Sequence, residues 1–235
     1  MEWSRMLLDE IGLAGQEHLD RAYVAAYDRK TAFDPSDDLV LLRELGLGRQ
    51  STLVDLGAGT GTLALAAAAH CGRVVGVDAS AEMVAAMSEN ADRLGVANVE
   101  CVEAGFISYE HRGAPADFVY SRNALHHLPD FWKAIALERI ALILCPGGVL
   151  RLRDLVFSFD PRDVERFVAS WLDSGAELPE DGFTRADFEA HLRDEFSTFS
   201  WLLEPMLERA GFEIASADYS SRRMYAEYVC LKTAR

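Results

Sequence analysis

The sequence is poor in positive charge. It holds 23 Lys and Arg against 38 Asp and Glu in 235 residues, a net charge of −15. A surface of that sign repels phosphate backbones, so we expect no nucleic-acid partner. Long apolar runs are also lacking, since none reaches the roughly 20 residues of a membrane-spanning helix. The charged N-terminus MEWSRMLLDE does not resemble a secretory signal, and we expect a cytoplasmic protein with no membrane partner.

Cysteine is scarce and scattered. The four cysteines are Cys71, Cys101, Cys145 and Cys230, and no two of them form a C-x-x-C pair. Each lies in or beside an apolar stretch, which is typical of buried free thiols rather than of disulfides or metal ligands. No residues cluster along the sequence with the spacing of a metal site, so the sequence predicts none.

A regular alternation of apolar strands and helices occupies residues 50–156. The predicted strands are 52–56, 73–77, 99–102, 117–120 and 149–155, and the predicted helices between them are 63–70, 80–94 and 132–144. This alternation is typical of an α/β, Rossmann-like parallel sheet with helices on both faces. Right-handed crossovers bring the loops after the strands to one edge of the sheet, where ligands bind.

The flanking segments are predicted to be mostly helical. Residues 3–29 and 39–45 have helical spacing, and residues 160–201 are expected to form two or more helices with no strand between them. A further helix at 201–209 and strands at 212–219 and 225–232 follow. We therefore predict one domain, made of lid helices (1–48), a core (50–156), a helical cap (157–203) and a closing helix with two strands (204–235).

A glycine-rich loop follows the first strand in the stretch VDLGAGTG. The loop is not a dinucleotide G-x-G-x-x-G, because Thr62 stands at the sixth position when Gly57 is counted as the first, and it lacks the Lys of a phosphate loop. Its glycines still allow a tight turn and a close approach of a ligand to bare backbone. Asp78 follows by about 20 residues, where an acid accepts ribose hydroxyls. Asp55 would repel a pyrophosphate but attract an ammonium, so S-adenosylmethionine fits both acids.

Four segments resemble motifs of class I S-adenosylmethionine-dependent methyltransferases. They are VDLGAGTG (54–61), VVGVDAS (74–80), DFVYSRNALHHL (117–128) and LILCPGGVLRLRD (142–154). The resemblance covers about residues 50–156 and the last two strands, and implies a seven-stranded sheet whose last strand is antiparallel. It also implies methyl transfer from S-adenosyl-L-methionine to an O, N or S atom of a small molecule, leaving S-adenosyl-L-homocysteine.

The resemblance also implies a set of cofactor contacts. The methionine end would meet the glycine loop, the ribose would bind the acid after the second strand, and the adenine would lie beside the helix that follows and the third motif. The candidates are Asp55, Gly57, Ala58, Gly59, Gly61, Asp78, Ala79, Met83, Gly105, Phe106 and, in the fourth motif, Ser121. Gly105 stands where many members have an acid for the adenine amino group, so backbone amides and stacking by Phe106 are expected instead.

Three residues are candidate catalytic groups. His126 and His127 are either general bases or packing residues beneath the ligand. Tyr27, one helical turn after Tyr23, either reaches the methionine end of the cofactor or packs in the core. Asp154 ends the fifth strand near the expected site and is a candidate substrate contact.

Other side chains have two interpretations each. Arg151 and Arg153 share one side of the fifth strand, which suggests salt bridges to acids of the cap or a contact with a substrate carboxylate. Aromatic residues of the cap are expected either to wall an acceptor pocket or to form the core of the cap, namely Phe183, Phe188, Phe196, Phe199 and Trp201.

The sequence of the loop after the fourth strand indicates the class of acceptor molecule. It reads SRNA rather than the Asn/Asp-Pro-Pro-aromatic tetrad that resembles enzymes acting on nucleic-acid bases, so we expect a metabolite or natural product. Two other functions remain open at this point: an intramolecular cyclisation or other non-methyl reaction of S-adenosylmethionine, and a protein that binds it without catalysis. A homodimer is equally open.

Overall fold

The computed structural model describes residues 8–13, 15–179 and 181–234. The helices are α1 (Glu10–Leu13), α2 (Arg21–Thr31), α3 (Ser36–Glu44), α4 (Thr62–Ala67), α5 (Ala81–Leu94), α6 (Asp130–Ile143), α7 (Val164–Leu172), α8 (Arg185–Asp194) and α9 (Ser200–Arg209). The strands are β1 (Thr52–Leu56), β2 (Arg73–Asp78), β3 (Val99–Glu103), β4 (Ala116–Arg122), β5 (Leu144–Phe157), β6 (Thr198–Phe199), β7 (Phe212–Tyr219) and β8 (Tyr225–Lys232). None of the described helices is long and apolar enough to cross a bilayer.

The strands form a mixed sheet in the order β3-β2-β1-β4-β5-β8-β7. The pairs among β1 to β5 are parallel, whereas β8 runs antiparallel to both β5 and β7. This order confirms the predicted mostly parallel sheet with an antiparallel last strand. The strand order reverses between β1 and β4, so the ends of these strands open the crevice in which ligands of such sheets bind.

Helices cover both faces of the sheet. Alternate residues of β1 point to opposite sides, because side chains alternate along a strand. Leu53 packs in a core with residues of α3, α4 and α5, while Val54 packs in another with residues of α6 and α9. The predicted three-layer arrangement is thereby confirmed.

The N-terminal segment differs from the single helix predicted over 3–29. Residues 1–7 and 14 lie outside the described residues, and the rest divides into α1, a 3-10 turn at Gln16–Leu19, and α2. The side chain of Asp20 accepts hydrogen bonds from the backbone N–H groups of Ala22 and Tyr23, which caps the start of α2. A helical spacing of apolar residues did not reveal this break.

Two further differences concern strands. The prediction of no strand within 160–201 is wrong, because β6 pairs with the end of β5, Val156 lying opposite Thr198. Strand β5 also starts at Leu144 rather than at residue 149. The register between β4 and β5 shifts after the pair of Ala116 with Leu144, which absorbs the Pro146-Gly147-Gly148 turn predicted from the sequence.

The buried arginine of β5 forms a salt bridge, as one interpretation of the sequence proposed, but not with the cap. Arg151 Nε lies 3.0 Å from Asp38 Oδ1 of α3, and its Nη2 pairs with Glu227 of β8. The hydroxyl of Tyr120 donates to the other oxygen of Asp38 at 2.8 Å. The pair therefore fixes α3 on the sheet.

Removing Asp38 should destabilise the protein strongly. Asp38 and Arg151 are each 6% exposed, and Asp38→Ala leaves the guanidinium buried with only Glu227 beside it. Breaking a buried pair costs about 3–5 kcal/mol. We expect a loss of that size in the free energy of unfolding, measured with urea. Asp173→Ala removes an exposed partner of Arg185 and should change it by less than about 1 kcal/mol. Equal losses in both variants would contradict this assignment.

Candidate cofactor and acceptor cavities

Two adjoining cavities open at the carboxyl ends of β1 and β4. The smaller encloses about 80 Å³ and the larger about 250 Å³. They share one wall, formed by His18, Tyr27, Gly57, Gly59, Arg122, Asn123 and His127. A ligand lying along this wall would reach from one cavity into the other.

The glycine loop approaches its neighbours so closely at Gly57 that no side chain fits there. Gly57 has φ +75°, and a Cβ built on it would lie 2.3 Å from the Cβ of Ala124. The N–H groups of Gly57 and Ala58 both donate to the carbonyl of Val77, which ties the loop to β2. Gly57, Ala58 and Gly59 all line the larger cavity. The bare backbone expected from the sequence is present at the cavity wall.

Gly61 occupies a different place from the other two glycines. It precedes α4 with φ +87° and lines neither cavity. A Cβ at Gly61 would lie 2.6 Å from Cγ of Met87 on α5. This position favours a role in packing α4 against α5 over the predicted cofactor contact.

Asp78 braces the glycine loop from the end of β2. Its Oδ2 accepts the N–H of Gly59 at 2.8 Å, and its Oδ1 accepts the N–H of Ser80 at 2.9 Å. Burial raises the pKa of this carboxyl. Asp78 lines the smaller cavity together with Ala79 and Met83, which are the residues predicted to contact the ribose and the adenine.

Asp55 lies beneath the loop and lines the larger cavity. Burial, with the charge of Asp78 adding to it, raises the pKa of Asp55 to about 8. The carboxyl is therefore mostly protonated at neutral pH when nothing binds it. An ammonium group placed beside it would favour the ionised form, in accord with the predicted contact.

This raised pKa predicts a dependence of stability on pH. The folded chain holds a proton on Asp55 that the unfolded chain releases above pH 4, so the free energy of unfolding falls as the pH rises towards 8. Asp55→Asn removes this contribution. Between pH 5 and 8 the variant should gain on the natural chain by up to about 1.4 kcal/mol per pH unit, measured by urea unfolding. The exposed Asp92→Asn variant should follow the natural chain, and a constant offset for Asp55→Asn would contradict the prediction.

An acid from the N-terminal segment lies at the far end of the smaller cavity. A Cβ built on Gly105 would lie 2.3 Å from Oε1 of Glu10. Glu10 also accepts hydrogen bonds from the N–H groups of Ile107 and Ser108 at 2.9 and 3.0 Å. The sequence indicated that Gly105 leaves this end without an acid, yet α1 supplies one. Phe106 lines the cavity and is 8% exposed.

Tyr27 stands over the glycine loop and lines both cavities. Its Cε1 lies 3.6 Å from the position that a Cβ on Gly59 would occupy. Burial raises the pKa of Tyr27 far above neutrality, and nearby Asp78 adds to this effect. The side chain therefore remains a neutral phenol, which can donate a hydrogen bond into the cavity but does not act as an anionic base.

His126 belongs to a buried chain of hydrogen-bonding side chains. Its Nδ1 pairs with Oδ1 of Asp154, and its backbone N–H donates to Oδ2 of the same carboxylate at 3.0 Å. Its Nε2 lies 3.0 Å from Oε2 of Glu195, and that oxygen also pairs with Nδ1 of His191. Asp154, predicted as a substrate contact, lines neither cavity and instead fixes the ring of His126.

The two neighbouring histidines have opposite pKa shifts. Burial alone would lower the pKa of His126, but Asp154 and Glu195 outweigh it and raise the pKa to about 9. Burial and the charge of His126 lower the pKa of His127 to about 3. His126 is thus held as a cation and does not suit the predicted role of base. His127 stays neutral, and its buried Nδ1 has no hydrogen-bond partner within the described part of the chain.

Aromatic residues of the cap form one side of the larger cavity. Phe183 and Phe188 line it as predicted, and Trp171 of α7 joins them, its ring centroid 4.4 Å from that of Phe188. Phe199 packs against the buried cluster of the cap, whereas Phe196 and Trp201 are 38% and 56% exposed. The two interpretations of these aromatics therefore each hold for part of the set.

Ser121 does not lie at either cavity. It is fully buried in β4, and its hydroxyl has no hydrogen-bond partner among residues 8–13, 15–179 and 181–234. The residues before and after it, Tyr120 and Arg122, line the larger cavity instead. Because successive side chains of a strand point to opposite faces, a motif read as letters does not show which of them reaches the ligand.

Comparison with known proteins places a methyltransferase domain over residues 53–148. The chain is 32% identical over 136 residues to the uncharacterized methyltransferase YcgJ of Bacillus subtilis (strain 168), covering 57% of this chain and 53% of that protein. It is 35% identical over 115 residues to trans-aconitate 2-methyltransferase of Azoarcus sp. (strain BH72), covering 48% and 42% of the two chains. The chain thus spans about half the length of these curated relatives.

Solved structures share the fold. The YcgJ crystal structure superposes with a TM-score of 0.63 at 18% identity, covering 85% of this chain and 100% of that one. Magnesium protoporphyrin IX methyltransferase of Synechocystis PCC 6803, solved with bound S-adenosylhomocysteine, gives a TM-score of 0.59 at 17% identity, covering 84% and 81%. At such identities the likeness shows the fold alone.

Proposed function

Because residues 53–148 match a methyltransferase domain and the chain is similar to named methyltransferases, we propose that it transfers a methyl group from S-adenosylmethionine to a small-molecule acceptor. When bound, S-adenosylmethionine supplies a methyl group already activated by its sulfonium. The observation that carries the proposal is the pair of cavities with a common wall at Gly57, Gly59, Tyr27 and His127. One cavity suits the nucleoside and the other suits the acceptor.

The residues at the smaller cavity fit the cofactor. The backbone of Gly57 is free of a side chain, since a Cβ there would overlap Ala124, and a ligand can therefore lie against it. Asp78 keeps acceptor capacity for ribose hydroxyls beyond its two backbone hydrogen bonds, because a carboxylate has about four acceptor positions. Glu10 and Phe106 would face the adenine. Asp55, which lines the larger cavity, would face the ammonium of the methionine end.

The larger cavity favours an acceptor with a flat apolar body. Trp171 and Phe188 offer stacked ring faces, and Phe183 extends that surface. Lys30, paired with Asp187 at 3.3 Å, lies 4.9 Å from the ring centroid of Phe183. The acceptor would therefore have its apolar part against these rings and its reacting atom towards the wall shared with the cofactor.

The protein would contribute to catalysis mainly by orienting the two reactants and by excluding water from the reacting atoms. Holding two reactants in line replaces an encounter in solution and accounts for a large part of such catalysis. The cap and α2 contribute residues to the wall of the larger cavity. A bound acceptor and cofactor together would exclude water from the reacting atoms. Tyr27, His126 and His127, the three predicted catalytic residues, all line this cavity.

Incubation with methyl-labelled S-adenosylmethionine and a metabolite extract tests the proposal. We expect one compound to gain the label while S-adenosylhomocysteine accumulates in equal amount. Formation of methylthioadenosine without a labelled acceptor would instead indicate cyclisation or another non-methyl reaction of the cofactor. Binding by calorimetry with no turnover on any acceptor would indicate a binding protein.

A further inference from the structure

Three potential metal ligands from separate parts of the chain converge beside the larger cavity. We propose that His126, His127 and Glu195 bind a divalent transition-metal ion of the Zn²⁺ or Fe²⁺ type. One donor atom of each residue lies within 4.8 Å of those of the other two. The sequence predicted no metal site, because Glu195 follows the histidines only after α6, β5, α7 and α8.

The donor set matches the chemistry of such an ion. Two imidazoles and one carboxylate form the usual protein half of open Zn²⁺ and non-haem Fe²⁺ sites. Ligands held about 2.1 Å from an ion lie about 3.0–3.4 Å apart at octahedral or tetrahedral angles. The separation of His126 Nε2 and Glu195 Oε2 is 3.0 Å, within that range. The ion would displace the proton that this Nε2 carries when no ion is bound, because a ligating imidazole is neutral.

Residues behind the donors hold them in the orientation that ligation requires. Asp154 engages the Nδ1 and the backbone N–H of His126, which turns its Nε2 towards Glu195. A carboxylate on the outer nitrogen of a ligating histidine is the common second layer of metal sites. His191 in turn pairs with Glu195 and is held by Ser197, with 2.7 Å between Nε2 and Oγ.

The hydrogen-bonded network of Asp154, His126, Glu195 and His191 does not explain the buried, unpartnered nitrogen of His127. Its Nδ1 is buried without a hydrogen-bond partner in the described part of the chain. The centroid of its ring lies 4.3 Å from the centroid of the His126 ring. A buried nitrogen without a partner loses its hydrogen bonds to water and gains nothing in return, which destabilises the folded chain. An ion bound between the two rings and Glu195 would use such a nitrogen.

The site would leave coordination positions open towards the cavity. Three protein ligands are fewer than the four to six that these ions take, and all three residues line the larger cavity. The remaining positions suit an oxygen or sulfur atom of a small molecule placed beside Tyr27. Binding of the ion itself does not depend on the proposed methyl transfer.

Titration of the chelator-stripped full chain with ZnCl₂ alone tests the proposal. We expect one ion per chain by calorimetry, and Co²⁺ in its place should give visible ligand-field absorption. Glu195→Gln and His127→Gln each remove one ligand and should weaken Zn²⁺ binding at least 100-fold. Asp154→Asn acts through His126 and should weaken it about 10–100-fold.

A control variant shows whether Zn²⁺ binding depends on this cluster or on any histidine of the chain. His70→Gln removes a histidine that lines neither cavity and should bind Zn²⁺ like the natural chain. Circular dichroism checks that each variant is folded. Absence of stoichiometric Zn²⁺ uptake, or unchanged affinity in both folded Glu195→Gln and His127→Gln, overturns the proposal. Because no methyl donor is present, neither result bears on the proposed function.

Discussion

Gly57→Ala should abolish measurable binding of S-adenosylmethionine and S-adenosylhomocysteine, a loss of at least 100-fold in affinity by calorimetry. The added Cβ would lie 2.3 Å from Cβ of Ala124, a distance that real side chains do not tolerate. The backbone at Gly57 also has φ +75°, which strains any residue with a Cβ. The glycine loop and the segment at Ala124, which follows β4, must therefore separate. The N–H groups of the loop that donate to the carbonyl of Val77 would move with it.

Two other glycines supply graded controls for this substitution. Gly48→Ala, just before β1, brings its Cβ no closer than 3.7 Å to another atom and should bind normally. Gly59→Ala makes an ordinary 3.6 Å contact with Tyr27 but has φ +56°, so an intermediate loss is expected. Normal binding by a folded Gly57→Ala chain would show that the ligand does not lie on this loop.

Asp78→Asn should weaken binding of the same two nucleosides by about 100-fold or more. The carboxylate accepts two backbone N–H groups and is predicted to accept the ribose hydroxyls as well. Hydrogen bonds to a charged group contribute about 1.5–3 kcal/mol each, and the amide of Asn turns one acceptor into a donor. Calorimetric titration with S-adenosylhomocysteine measures the loss without turnover.

The exposed residue Asp92 of α5 provides the comparison for Asp78. Asp92→Asn changes the net charge equally, so any effect of overall charge on the cofactor appears in both variants. We expect its affinity to equal that of the natural chain. If Asp78→Asn were to bind as tightly as Asp92→Asn, the assignment of the ribose to the end of β2 would be wrong.

The core of the fold follows from short-range patterns in the chain. The strands β1 to β5 are apolar runs separated by helices of ordinary length, and the glycine loop and Asp78 lie at the ends of β1 and β2. Local backbone requirements and the geometry of parallel sheets then determine where these residues meet. Prediction succeeded where neighbours along the chain are also neighbours in space.

The rest of the site depends on contacts between distant segments. Glu10 meets residues 107 and 108, Glu195 meets His126, and Asp38 meets Arg151. Nothing in the local sequence around these acids distinguishes them from acids on the surface. The same limit explains why β6 was missed, since a strand of two residues exists only because β5 lies beside it.

Glu10 has a consequence for how fast the protein can exchange ligands. Glu10 of the four-residue helix α1 lines one end of the smaller cavity and accepts hydrogen bonds from the N–H groups of residues 107 and 108. A spent nucleoside bound there would leave as α1 detaches, and the next one would be retained as it docks again. In the proposed methyl transfer, the exchange of nucleosides would then depend on the movement of α1, as in enzymes limited by product release.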